Sequence, residues 1–314
     1  VDTARVADLD EDALVALVAA RLPAGRSTFL GPGDDAAVVV AGDGRFVVTT
    51  DVLVEDQHFR REWSSGADVG ARAAMQNLAD VAAMGASPTA LVVALTVPPD
   101  LPVAFVTGLA EGLAAVCAPL GVGVVGGDLS AGPSVQVAVT AHGDLAGRAP
   151  VRRSGARPGD TVAHAGVAGW SAAGLALLVA GRRDDELVGA YLCPRAPLAA
   201  GPAAARAGAS AMLDVSDGLV RDAQRIASAS GVQIAFDSVA QAFADDLARL
   251  AGAAAVVGAQ ADDWVLGGGE DHGLLATFPG ALAHGFRPVG HVVAGQGVTV
   301  AGQQPTVSGW DHFG

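Results

Sequence analysis

Carboxylates recur in this chain at the ends of apolar runs, most of them beside glycine or a hydroxyl. "RFVVTTD", "QNLAD", "VGVVGGD", "DVSD" and "VLGGGED" all close on one, and "GDDAAVVV" opens so. Neighbouring carboxylates repel and raise one another's pKa unless a cation compensates them. The chain already carries a formal net charge of −14, so the clustering asks for metal. An oxygen-only donor set without histidine or thiolate companions suits magnesium, which prefers carboxylates, hydroxyls and phosphate oxygens.

At 314 residues the chain exceeds the size at which a single core usually stops growing. Two domains are expected, 1–146 and 147–314, divided in "GRAPVRRSGARPGD", where Gly, Pro and Arg break the periodicity. "DLDEDALVALVAARL" reads as a helix with Asp8 as N-cap and Glu11 three positions on. "AAVVV" and "RFVVTT" flank "AGDG", a hairpin signal that would bring "GDD" and "TTD" together at its open ends. "GADVGARAAMQNLADVAAMG" predicts a helix on which Arg72, Gln76 and Asp80 share one stripe. Strand "TALVVALTV", a helix over about 102–118, strand "VGVV" leading into "GGDLS", and strand "SVQVAVTAHG" complete an α+β first domain. Strands and helices then alternate, from "DTVAHAG" through "DVSDGLVRDAQRIASASG" to "HGLLATF".

Composition removes several function classes. All 19 basic residues are arginine, so phosphate-loop NTPases, protein kinases, pyridoxal enzymes and Schiff-base aldolases lose the lysine each requires. The acidic balance argues against nucleic acid as a partner. The acidic opening lacks a leader's apolar segment and no long uninterrupted apolar run follows, so a soluble, cytoplasmic protein without a membrane partner is expected. Cys117 and Cys193 have no metal-ligand spacing and read as core residues. No G-x-S-x-G elbow occurs.

The candidate residues follow from the pattern. Asp34, Asp35, Asp51, Asp80, Asp128, Asp214, Asp217, Glu270 and Asp271 sit beside glycine or at element ends. Singly, each is ordinary turn or cap chemistry; jointly they suit a nucleotide triphosphate bridged to protein by several magnesium ions. Glycines at 31, 33, 126, 127 and 267–269 would let backbone amides approach phosphates, and "SDGL" opens a helix whose N-terminus favours anions. Arg152 or Arg153 of "VRRSG" is placed to supply a bidentate phosphate contact. His58 is the one histidine inside a motif.

The ordered set "GDDAA", "TTDVLVEDQHF", "NLADVAAMGASP", "GGDLS", "RSGARPGD", "DVSDGL", "GGED" and "WDHF" resembles the thiamine-monophosphate kinase family, in the superfamily of aminoimidazole ribonucleotide synthetase. The resemblance implies two α/β domains of that α+β / α/β fold, with the first domain's sheet pairing across a homodimer. It implies phosphorylation of thiamine monophosphate by ATP with several Mg²⁺ ions. On this chain Asp35, Thr49, Thr50, Asp51, Asp80, Asp128, Asp214 and Asp217 then correspond to metal ligands. Gly127, Asp128, Arg153 and Ser216 correspond to ATP contacts, and His58, Glu270 and Trp310 to acceptor contacts. Asp128, Arg153 and Asp217 are the residues expected to act on the transferred group. One departure stands out: after "GGED" the family pattern has an aromatic and a glutamate, and this chain has His272 and Gly273.

Two other readings fit part of the pattern. Another ATP-dependent member of the superfamily would keep the carboxylates, but a selenophosphate synthetase needs a cysteine before Cys117, and a hydrogenase-maturation relative needs one in its tail; neither is present. A non-catalytic nucleotide sensor would be expected to have lost some of these costly clusters.

Overall fold

The computed structural model describes residues 4–31, 37–183 and 186–310, without the side chains of Glu11 and Asp12. Asp34 and Asp35 of "GDD" lie outside the described residues. The chain divides into two compact units, one of 1–81 with 87–147 and one of 82–86 with 148–314.

In the first unit a short 3-10 turn, Val6–Asp8, precedes α1 (Glu11–Ala19). The cap of α1 is Asp10, which accepts the Ala13 amide at 2.8 Å, and not Asp8, whose carboxylate is taken by the Arg5 amide at 2.7 Å. Then come β1 (Thr28–Leu30), β2 (Val38–Val39), β3 (Val47–Val54), α2 (Gly66–Ala83), β4 (Ser87–Val97), α3 (Val103–Leu120), β5 (Gly123–Ala131) and β6 (Gln136–Asp144). The expected hairpin is not formed among the described residues: β2 pairs back with β1, while β3 pairs with β6 over its full length. The turn itself is present, with the Gly44 amide on the Ala41 carbonyl at 3.2 Å. An eight-residue strand takes the partner that satisfies its whole ladder, and β2 has only two residues.

The four-stranded sheet runs β3-β6-β4-β5, with β4 and β5 parallel and joined across α3. Leu53, Leu91, Val137 and Val139 are buried in it. Helices α2 and α3 meet backbone to backbone: a Cβ on Gly70 would lie 2.0 Å from the Leu109 carbonyl, and one on Gly112 would lie 2.1 Å from that of Ala67. Only glycine allows so close a crossing, which fixes α2 against α3. Helix α3 is the described helix long and apolar enough to cross a membrane; here it is packed inside the unit, and it carries Glu111.

The second unit contains β7 (Thr161–Ala165), α4 (Trp170–Val179), α5 (Glu186–Leu192), α6 (Ala200–Arg206), β8 (Ala211–Val215), α7 (Leu219–Ser230) and β9 (Gln233–Phe236). It continues with α8 (Val239–Ala242), α9 (Ala244–Val257), α10 (Ala261–Gly267), β10 (Gly273–Phe278), β11 (Phe286–Val293) and β12 (Gly297–Val300). Its six-stranded sheet is ordered β12-β9-β11-β7-β10-β8 and is antiparallel except for β12 with β9. Strands β8 and β10 are buried throughout, as near-continuous apolar runs covered on both faces should be. The first residue of β10, Gly273, lies opposite the last of β8, Val215. That register sets "GGED", just before β10, beside "SDG", just after β8.

Candidate functional site

Each unit gathers its own share of the carboxylates. In the first, strand alternation sends the two hydroxyls of "TTD" to opposite faces. Thr49 donates to Asp80 Oδ2 on α2 at 2.8 Å. Thr50 donates instead to the Val139 carbonyl at 3.0 Å and accepts from Thr140 at 3.2 Å. Thr49 and Asp51 therefore share the face that looks toward Asp80, and the Thr50 hydroxyl does not join them. The stripe that carries Asp80 also buries Arg72 and Gln76, and a buried polar stripe on a core helix calls for a role beyond packing.

Asp128 and the glycines before it lie within β5 rather than after it. Asp128 is opposite Ala94 of β4, is exposed, and accepts the Ser130 hydroxyl at 3.1 Å. Gly127 has a packing reason of its own, because a Cβ there would lie 1.9 Å from the Val93 carbonyl; beside Gly126 there is open space. A cavity of about 750 Å³ reaches these residues, walled by apolar side chains such as Val18, Phe46 and Val92. His58 follows β3 in a tight turn, its Nδ1 accepting the Val54 amide at 3.0 Å. That bond makes Nδ1 the acceptor and puts the ring proton on Nε2.

In the second unit, β8 ends in Asp214 and Val215 and the chain turns through Ser216, Asp217 and Gly218 into α7. Gly218 has φ +110° and a Cβ there would meet the Gly267 carbonyl at 2.7 Å. Asp222, fully buried in the first turn of α7, accepts the Asp217 amide at 2.9 Å. Burial pushes its carboxyl up to about 7 against that hydrogen bond and the nearby Arg225. Arg225 bonds both Asp222 and Asp217, and Arg221 Nε stands 3.9 Å from Asp217 Oδ2. Asp217 is thus held from two sides before any ligand arrives. Arg153 is exposed, with its carbonyl accepting the Ser230 hydroxyl at 3.1 Å. Its neighbour Arg152 accepts the Met212 amide of β8 at 3.0 Å through its carbonyl, which keeps "VRRSG" against that strand.

The "GGED" segment separates its two acids. Its backbone is docked on the end of β8 by the Glu270 amide on the Ser216 carbonyl at 2.8 Å and the His272 amide on that of Val215 at 3.1 Å. Glu270 and His272 both have left-handed φ, +69° and +52°, and between them Asp271 turns the other way. Asp271 accepts the amides of Gly169 at 2.5 Å and Ser171 at 2.7 Å and so caps α4. Burial drives its carboxyl up to about 7 despite those two bonds. His272 stands between Asp214 and Glu270: its Nδ1 lies 3.4 Å from Asp214 Oδ2, and its Nε2 lies 3.8 Å from Glu270 Oε2. Burial pulls the imidazole pKa down, but these carboxylates more than offset it and hold it at about 10. Trp310 donates its amide to the Asp217 carbonyl at 2.8 Å while its side chain is 60% exposed.

Asp222 and Arg225 are residues that sequence reasoning missed, and His272 entered it only as a departure from the family pattern. The first two carried a signal, the i to i+3 opposite-charge spacing on a helix. Among the described residues no three His, Cys, Asp or Glu side chains form a ready-made metal cage. The oxygen-rich set still fits magnesium, which binds through one or two carboxylates and fills its remaining positions with water and phosphate oxygens.

Residues 33–145 match the family model described as AIR synthase related protein, N-terminal domain. A thiamine-monophosphate kinase of Mycobacterium tuberculosis is 49% identical over 291 residues, 92% of this chain and 87% of the relative. One of Corynebacterium glutamicum is 43% identical over 294 residues, 90% and 88% of the two chains. A solved structure described as AaThiL complexed with AMPPCP and TMP superposes with a TM-score of 0.79, is 32% identical, and covers 99% of both chains. With helices and sheets in that arrangement and the motifs placed as above, the chain belongs to the thiamine-monophosphate kinase family of the AIR synthase-like superfamily.

Proposed function

We propose that this chain transfers the terminal phosphoryl group of ATP directly to thiamine monophosphate, forming thiamine diphosphate and ADP. The observation that carries this reading is the likeness, over 99% of both chains, to a structure complexed with AMPPCP and TMP. The acceptor is a phosphate monoester, already anionic at neutral pH, so no strong general base is required and alignment with charge neutralisation suffices.

Within the first unit we assign Thr49, Asp51, Asp80 and Asp128 to metal and nucleotide, Gly127 to the nucleotide and His58 to the acceptor; Asp35, assigned to metal, lies outside the described residues. Within the second unit we assign Asp214, Ser216 and Asp217 to metal and nucleotide, and Glu270 and Trp310 to the acceptor. Bound magnesium would neutralise the charge that builds on the phosphate oxygens. Asp128 in the first unit, and Asp214 and Asp217 in the second, would serve as ligands to such ions, Arg153 would steady the transferred group through a bidentate contact, and Thr50 would take part through its backbone, its hydroxyl being engaged elsewhere. We place the protein in the cytoplasm as a homodimer built on the first unit's sheet. Supporting the dimer, β3 stands at the end of the strand order and Val48 and Val52 on it are 55% and 45% exposed.

A coupled ADP-release assay tests the reading. Turnover with thiamine monophosphate that exceeds a panel of other phosphate monoesters by orders of magnitude is expected, and equal rates across the panel would contradict it. Calorimetric titration of ATP in Mg²⁺ and in EDTA tests the metal: equal affinity in both would remove it from the site.

A further inference from the structure

Between the two functional edges of the second unit lies a side chain with no assigned role. The His272 ring is 5% exposed and wedged between two carboxylates carried by different segments, Asp214 in β8 and Glu270 in the loop before β10. Each ring nitrogen addresses one of them, at 3.4 Å and 3.8 Å. The second separation is too long for a hydrogen bond, and Nε2 has no hydrogen-bond partner among the described residues. A buried polar atom aimed at a carboxylate it does not quite reach marks a contact waiting for a small movement.

The backbone around the ring does not give. The left-handed φ angles of Glu270 and His272 are sparsely populated for non-glycine residues and persist only where the surroundings hold them. Here a Cβ on Gly269 would lie 2.5 Å from the Ser216 carbonyl, and one on Gly273 would lie 2.7 Å from His164 Nε2. The amide of His272 is fixed to the Val215 carbonyl. With the main chain pinned on both sides, adjustment falls to the side chains, and that of Glu270, about one third exposed, is less enclosed than that of Asp214.

We infer that His272 is a positioning residue whose imidazole bridges Asp214 and Glu270, holding Glu270 for the acceptor in register with the nucleotide-side carboxylate. The inference rests on the acceptor role of Glu270. Closing the 3.8 Å gap when the acceptor engages Glu270 completes the bridge, so the effect of His272 is felt in acceptor binding first. Packing alone would give a different pattern, since a filler acts on stability and on both substrates alike.

Steady-state kinetics on His272→Phe, His272→Asn and His272→Gln, with ATP and thiamine monophosphate varied separately, distinguish the two. His272→Phe keeps the bulk and loses both nitrogens; its KM for thiamine monophosphate should rise about tenfold while that for ATP stays within about twofold. His272→Gln, whose amide reaches the Glu270 side, should recover most of the loss, and the shorter His272→Asn, which reaches only Asp214, should not. In a Glu270→Gln background His272→Phe should add nothing further, as members of one unit are non-additive. Unchanged KM values with an early melt in His272→Phe, or full additivity with Glu270→Gln, overturn the bridge. Absence of thiamine monophosphate turnover in the parent protein overturns the functional reading and the bridge together, which separates the two failures.

Discussion

Asp271 accepts the Ser171 amide at 2.7 Å across a hundred residues of sequence, and Glu270, its neighbour, faces the opposite way toward His272. The two acids of "GGED" thus have separate duties, one structural and one functional. Asp271→Ala strands two buried helix-end amides, and unfolding in urea should show a loss of about 1–3 kcal/mol. Glu270→Gln should unfold within about 0.5 kcal/mol of the parent while raising the KM for thiamine monophosphate. If both substitutions moved stability equally, the division of labour would be wrong.

Asp128 is exposed and accepts the hydroxyl of Ser130 two residues on, so the fold asks little of it. Asp128→Asn keeps shape and removes charge. A kcat loss of at least about tenfold, or about 1.4 kcal/mol in the barrier, is expected, with an unaltered melting temperature in the absence of ligand. Unchanged turnover would return Asp128 to the role of a strand residue.

Trp310 is tied by its amide to Asp217 while its indole stands largely in solvent. A structural lock would bury the ring, so the exposed face is better suited to stacking on the acceptor's cationic heterocycle, an interaction worth about 0.5–2 kcal/mol. Trp310→Ala should raise the KM for thiamine monophosphate several-fold with ATP kinetics and thermal midpoint nearly unchanged. An early melt with both KM values intact would identify the tail as a lock.

His164 is buried edge-on to Phe243, and burial, reinforced by Arg287, depresses its pKa to about 3. The unfolded chain takes up this proton near the ordinary histidine value and the folded chain does not, so below about pH 6.5 this residue makes stability fall as pH falls, by up to about 1.4 kcal/mol per unit. Asp222 and Asp271, pushed up to about 7, act in the opposite direction: the folded state protonates first, and their contribution weakens as pH rises toward 7. The single variant isolates the histidine. The stability gap between the parent and His164→Leu should therefore narrow between pH 6.5 and 4.5, and a gap independent of pH would contradict a buried neutral imidazole.

Local patterns were legible where the deciding contacts are local. The helix over "GADVGARAAMQNLADVAAMG" and its stripe of Arg72, Gln76 and Asp80 were legible because they follow from side-chain direction within one element; that Thr49 meets Asp80 is a contact between two elements and was not. The hairpin expected at "AGDG" was not, since β3 found its full ladder in β6, some ninety residues later, and pairing choice is a tertiary matter. The same limit hid Asp271, whose partners at the start of α4 are a hundred residues upstream. Gly127 was read for its closeness to phosphate, yet the Val93 carbonyl beside it requires glycine in any case. His272 was noticed only as a departure from the family pattern; its place between Asp214 and Glu270 depends on the β8–β10 register, which no spacing in the sequence specifies.

The most direct test of the account is a phosphorus NMR time course on the purified protein with ATP, Mg²⁺ and thiamine monophosphate. The account predicts that the monoester resonance is replaced by the paired signals of thiamine diphosphate, in step with ADP and without inorganic phosphate. ADP accumulating with free phosphate while the monoester persists would show an ATPase rather than a kinase of thiamine monophosphate, and would contradict it.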